Sequence, residues 1–214
     1  MKAFIFDMDG VIVDSEPIHS QTKLATFQHY GLRFDASELV HYMGRTSRAL
    51  FGDVVRRAKR TDLDVGTMIA YKHALYLDLL RHDEAVQPVA GTREIFRALA
   101  AAHIPAALAS SAGRVVIDAV LEKFGLAGYF QSVLSGADLP AGKPDPAVYL
   151  LSAEKLRVRP ADCVVLEDAA SGVAAAKAAG MFCIAYRNPH SGAQDLSRAD
   201  MVVDNIGKID ITRL

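Results

Sequence analysis

Six polar residues stand where apolar segments of the chain break off. Asp7 and Asp9 follow Ala3–Phe6, Ser110 follows Ala106–Ala109, and Glu167 and Asp168 follow Cys163–Leu166. Lys143 sits in Gly142-Lys143-Pro144-Asp145-Pro146, downstream of Ser132–Leu134. Carboxylates gathered in one crevice repel each other unless a cation joins them. Hard oxygen donors, few in number and carried on loops, suit Mg²⁺, which keeps waters and accepts a substrate phosphate as a further ligand. An ammonium and a hydroxyl hold the remaining phosphate oxygens, as do backbone N–H groups of glycine-containing loops. The reaction class that fits is phosphoryl transfer, where positioning and charge neutralisation supply most of the catalysis.

The elements around these residues are those that gather them. Short apolar runs at Ala3–Phe6, Ala106–Ala109, Ser132–Leu134, Cys163–Leu166, Phe182–Tyr186 and Met201–Val203 read as buried parallel strands. Helical patterns lie between them at Thr92–Ala102, Val115–Phe124 (closed by Gly125), Pro146–Leu156 and Val173–Ala179 (closed by Gly180). Alternating strands and helices predict a doubly wound α/β parallel sheet, and ligands of such sheets bind beyond the strands' carboxyl ends. The segment from Ser15 to Ala85 has helical periodicity and no convincing strand. The expected organisation is an α/β core of residues 1–14 and 86–214 interrupted by an inserted all-helical block of residues 15–85.

Composition removes several classes. The chain has 214 residues, 51% of them hydrophobic, with 24 basic and 25 acidic side chains, so disorder and a basic nucleic-acid footprint are both excluded. No apolar run approaches the length of a membrane helix, and the first residues do not form a signal peptide. Cys163 and Cys183 lie in apolar runs and read as free thiols in a reducing compartment. The expectation is a cytoplasmic protein, a monomer or weak dimer, with a small phosphorylated metabolite as partner and neither nucleic acid nor membrane.

Together, Asp7-Met8-Asp9-Gly10-Val11 with Asp14, Ser110, Gly142-Lys143-Pro144, and Glu167-Asp168 with Gly172 resemble the four motifs of the haloacid dehalogenase superfamily, in matching order and spacing across essentially the whole chain. The helical insert is similar to that family's small cap, and the sugar-phosphate phosphatases and β-phosphoglucomutases are the members it looks most like. The resemblance implies that Asp7 attacks phosphorus to form an aspartyl-phosphate and that Asp9 protonates the leaving oxygen, then activates water. It implies that Asp7, the Asp9 carbonyl and Asp168 bind Mg²⁺, with Glu167 bound directly or through water, and that Ser110 and Lys143 hold the phosphoryl group. The implied function is a Mg²⁺-dependent phosphatase of a small phosphorylated metabolite, expected to be a sugar phosphate. The alternative is a β-phosphoglucomutase. The mutase grip on a second phosphate uses a serine and a lysine shortly after the second motif's serine, and here Ala112 and Gly113 occupy those places, with Arg114 next. A dehalogenase is disfavoured because the Asp-x-Asp pair is intact.

Other residues keep two readings. Ser111 is a turn residue or a substrate contact. His19 is a helix-start residue on a polar face, or it reaches the substrate or orients Asp9. Gly44, Arg45 and Thr46 are a helix start with solvated charge, or a glycine turn that closes arginine and hydroxyl groups over a polar substrate. Asp14 and Asp145 are weaker candidates, and Asp14 has the plain reading of fixing the loop that leads into the helical insert. The other histidines read as surface residues, and the run Arg56 to Arg60 as a solvated helix end.

Overall fold

The computed structural model describes residues 1–42 and 47–214. It divides into two compact units, residues 1–14 with 84–214, and residues 15–83. The larger unit is built on strands β1 (Ala3–Phe6), β2 (Ala106–Ser110), β3 (Ser132–Ser135), β4 (Cys163–Glu167), β5 (Phe182–Tyr186) and β6 (Met201–Val203). They form one six-stranded sheet in the order β3-β2-β1-β4-β5-β6, and every pairing is parallel.

The residues of β1 are apolar throughout because both faces of the strand are covered. Ile5 and Val165 face helices α6 (Ala147–Leu156) and α7 (Ala170–Ala178), and pack with Tyr149, Val173 and Ala176. On the other face Phe6 meets Phe96 of helix α4 (Thr92–Ala101), with ring centroids 4.7 Å apart. Helix α5 (Arg114–Phe124) ends at Gly125, whose φ of 65° supplies the left-handed cap that the sequence pattern calls for. Helix α7 starts at Ala170 rather than Val173, because the turn that follows β4 passes directly into it. The sheet is doubly wound, as the alternating pattern predicts.

The order places β1 between β2 and β4, so connections leave its two neighbours in opposite directions. A crevice opens at such a switch point, and the loops after β1, β2 and β4 all emerge there.

The smaller unit contains helices α1 (Glu16–His29), α2 (Ser47–Arg57) and α3 (Val65–His82), with a 3-10 segment over Ala36–Tyr42. Phe27, Leu50, Phe51, Val54 and Met68 form its core. Asp64 caps α3 by accepting the Thr67 N–H at 2.7 Å. The basic run at the end of α2 is paired with acids: Arg57 donates to Glu38 at 2.8 Å and Arg60 to Asp62 at 2.7 Å. Among the described residues, no helix is long and apolar enough to cross a membrane.

Candidate active site

The first loop is shaped by its backbone. Asp7 N–H donates to Leu166 O at 2.9 Å, extending the β1–β4 ladder by one residue. The chain then folds back on itself: Met8 O accepts from Ile12 N at 2.8 Å, and Gly10 N donates to Val13 O at 2.7 Å. Gly10 has φ +77°, and a Cβ there would lie 1.9 Å from Asp168 Oδ2. Conformation and space therefore both demand glycine where the first and fourth motifs touch.

The side chains converge on Lys143. Its Nζ donates to Asp7 Oδ1 at 2.6 Å, Glu167 Oε1 at 2.7 Å and Ala109 O at 3.1 Å. The ends of β1, β2 and β4 thus meet at one ammonium, whose side chain is 6% exposed. Glu167 Oε1 also accepts from the Tyr149 hydroxyl at 2.7 Å, and Oε2 accepts the N–H groups of Asp168 and Ala169 at 2.9 and 3.1 Å. Gly172 makes room for this carboxylate, since a Cβ there would lie 1.7 Å from Oε1.

The charges are out of balance. Asp7, Glu167 and Asp168 are all buried, with potential ligand oxygens within 4.8 Å of one another. Burial raises the Asp7 carboxyl well above its usual range; Lys143 opposes this, while Glu167, Asp168 and Asp9 add to it. Burial and the Glu167 charge push Asp168 up to about 7. Burial works against charge on Glu167 and Lys143 too, but ion pairing wins: Lys143 holds Glu167 below its usual value, and Asp7 with Glu167 holds Lys143 above its own. One ammonium therefore serves three carboxylates, and the ones left under-compensated are Asp7 and Asp168. A hard divalent cation fits that donor set and would remove the imbalance.

Ser110 is fully buried at the end of β2. Its Oγ accepts the Ala112 N–H at 3.0 Å, while Ser135 Oγ donates to Ala112 O at 2.9 Å, so this loop is pinned from β3. Ser111 is exposed beside it, Asp9 is half-buried, and Asp9 bridges through its backbone to Val13. Asp14 pairs with His190. Asp145 Oδ1 accepts the Ala147 N–H at 2.9 Å, which gives it the local role of starting α6. Arg114 Nε donates to Asp118 at 2.8 Å, one turn along α5.

Three residues of this region were not legible as site residues. Tyr149 has only the spacing of a core helix residue. Asn188 and Ser191 lie in the loop after β5. Asn188 is buried and donates from Nδ2 to Gly10 O at 2.9 Å, and the Ser191 hydroxyl donates to Asp168 Oδ2. The strand-end rule itself was the available signal for Asn188.

In the helical unit, Lys72 Nζ lies 2.8 Å from His19 Nδ1. An ammonium only donates, so Nδ1 accepts and His19 carries its proton on Nε2. The ring stacks on Tyr76 at 4.3 Å, and burial with the Lys72 charge lowers its pKa to about 3. Gly44, Arg45 and Thr46 lie outside the described residues.

A doubly wound sheet with an acidic crevice at its switch point and a helical insert after its first strand defines a class, and sequence comparison agrees with it. The chain belongs to the haloacid dehalogenase-like hydrolases, whose family model matches residues 4–186. Among its relatives, a phosphorylated carbohydrates phosphatase of Thermotoga maritima is 32% identical over 182 residues, covering 85% of this chain and 82% of its own. The beta-phosphoglucomutase of Bacillus subtilis is 30% identical over 209 residues, covering 95% and 89%. In fold, the chain is similar to CbbY from Rhodobacter sphaeroides, crystallised with phosphate, at TM-score 0.81 and 23% identity over 97% of this chain and 96% of that one.

Proposed function

We propose that this hydrolase is a Mg²⁺-dependent phosphatase acting on a small phosphorylated metabolite, a sugar phosphate by preference. The observation that carries the reading is the buried Asp7–Lys143–Glu167–Asp168 cluster, with more carboxylate than ammonium. Asp7, the Asp9 carbonyl and Asp168 would hold Mg²⁺, with Glu167 contributing its charge directly or through water. When bound, the ion neutralises phosphoryl oxygens.

The protein's own groups do the rest. The Asp7 carboxylate attacks phosphorus and the bond to the ester oxygen breaks. Asp9 supplies that oxygen with a proton and so releases the alcohol. Water then attacks the phosphorus of the aspartyl-phosphate, Asp9 takes its proton, and the bond to Asp7 breaks. Lys143 exchanges its longest hydrogen bond, to Ala109 O, for a phosphoryl oxygen. Ser110, accepting from Ala112 N–H, keeps its own O–H proton to donate to another.

The test is hydrolysis of p-nitrophenyl phosphate and of a panel of phosphorylated sugars, phosphoglycolate and nucleotides. Release that requires Mg²⁺, stops with EDTA and vanishes in Asp7→Asn is the expected result. Full activity in Asp7→Asn would remove the nucleophile. Conversion of β-glucose 1-phosphate to glucose 6-phosphate without net phosphate release would replace the phosphatase by a mutase.

A further inference from the structure

Tyr149 is fully buried on α6 and touches both halves of the central ion pair. Its hydroxyl donates to Glu167 Oε1 at 2.7 Å, and its ring centroid lies 4.8 Å from Lys143 Nζ, within cation–π range. The consequence appears when the lone pairs of Glu167 are counted. A carboxylate offers about four acceptor positions. Lys143 and Tyr149 take the two on Oε1, and the Asp168 and Ala169 amides take the two on Oε2. The carboxylate is seated against Gly172, in the space a Cβ would fill at 1.7 Å from Oε1. Protein donors reach Asp7 and Asp168 more sparsely: Lys143 at Oδ1 of Asp7, and Ser191 at Oδ2 of Asp168.

We propose that Tyr149 is a positioning residue of this site: its hydroxyl completes a four-donor grip that keeps Glu167 out of a divalent cation's inner shell and dedicates it to holding Lys143 against Asp7. This rests on the phosphatase reading above and takes the second of its two options for Glu167, contact through water. Glu167 then acts as a fixed charge whose partner is the lysine. The inner-shell carboxylates are Asp7 and Asp168.

Tyr149→Phe keeps the ring beneath Lys143 and removes only the hydroxyl. It returns one lone pair of Glu167 to the site and leaves more negative charge uncompensated. Mn²⁺ titrated calorimetrically into the metal-free variant is expected to bind about fivefold tighter than to wild type, since the lost donor was a hydrogen bond to a charged group. Phosphatase kcat is expected to fall about tenfold, with KM little changed, as Lys143 loses its fixed seat. A purely structural tyrosine gives the opposite sign in the first measurement, because loosening the site weakens cation binding along with kcat. Unchanged or weaker Mn²⁺ binding overturns the assignment. A second measurement needs no variant. In a crystal of the wild-type protein grown with Mg²⁺, both Glu167 oxygens are expected outside the inner shell, and a Glu167–Mg²⁺ bond of about 2.1 Å overturns the proposal. The two readings fail separately. A wild-type protein that binds no divalent cation and releases no phosphate sinks both. One that does both, with Tyr149→Phe matching it in each assay, sinks only the role given to Tyr149.

Discussion

Gly172→Ala sets two physical effects against each other. Gly172 lies inside helix α7, and alanine in a helix interior is favoured over glycine by about 1 kcal/mol. Local propensity alone therefore expects a more stable protein. The site expects the reverse. The new Cβ would lie 1.7 Å from Glu167 Oε1 and 2.0 Å from its Cδ. A carbon and an oxygen settle at about 3.5 Å, so the carboxylate must retreat by nearly 2 Å. That takes its 2.7 Å bonds from Lys143 and Tyr149 out of range. Two hydrogen bonds to a charged group, at about 1.5–3 kcal/mol each, outweigh the helix gain and leave a net loss of about 2–5 kcal/mol. For a chain of this size that is a fall in Tm of about 5–15 °C. Gly52, inside helix α2 with nothing within 4 Å of its Cβ position, is the matched control. There alanine is expected to raise stability by about 0.5–1 kcal/mol. The assay is urea and thermal unfolding of both variants beside wild type. If Gly172→Ala gains stability as Gly52→Ala does, the tight seat of Glu167 is not real and the reasoning about the site fails with it.

Two further outcomes follow from the charges. Mg²⁺ at a hundred times its dissociation constant is expected to stabilise the fold by about 2.7 kcal/mol, a rise in Tm of about 5–10 °C that EDTA reverses and Asp168→Asn abolishes; an unmoved Tm would count against any cation in the crevice. His19 has a folded pKa of about 3 against an unfolded 6.5, under burial and the charges of Lys72 and Lys23, with His73 adding to them. The unfolded chain therefore binds the extra proton between those values, and stability is lost as pH falls from 6.5 toward 3. Proton NMR of the ring is expected to find it neutral at pH 5, and a midpoint near 6.5 would refute the buried Lys72 contact.

The core of the fold was legible because its strands are short apolar runs that stop at polar residues, a pattern forced by burial on both faces. Parallel pairing then brings Asp7, Ser110, Lys143 and Glu167 to one edge, since all the strands point the same way. What stayed hidden was contact between residues distant in sequence. Tyr149 has the look of any core aromatic, and only the packing of α6 across β1, β2 and β3 brings its hydroxyl to Glu167 at the end of β4. Ser191 reaches Asp168 from a loop of ordinary turn composition. Gly172 was visible as a motif residue, but the reason for it, space for a carboxylate five residues earlier, lies in three dimensions. His19 had two readings in sequence; it lies in the first turn of α1, and its contacts with Lys72 and Tyr76, again residues distant in sequence, had no signal there.

The position of β1 has a consequence for how the molecule comes into being. Its partners begin at Ala106 on one side and Cys163 on the other, so the strand made first is flanked only when most of the polypeptide exists. The residues 15–83 between them have a core of their own and are free to form while β1 waits. Long-range parallel pairing is the slow kind. The acidic crevice therefore cannot form before β4 is made: a ribosome stalled ahead of Cys163 holds a chain in which Asp7 exists but neither Glu167 nor Asp168 does.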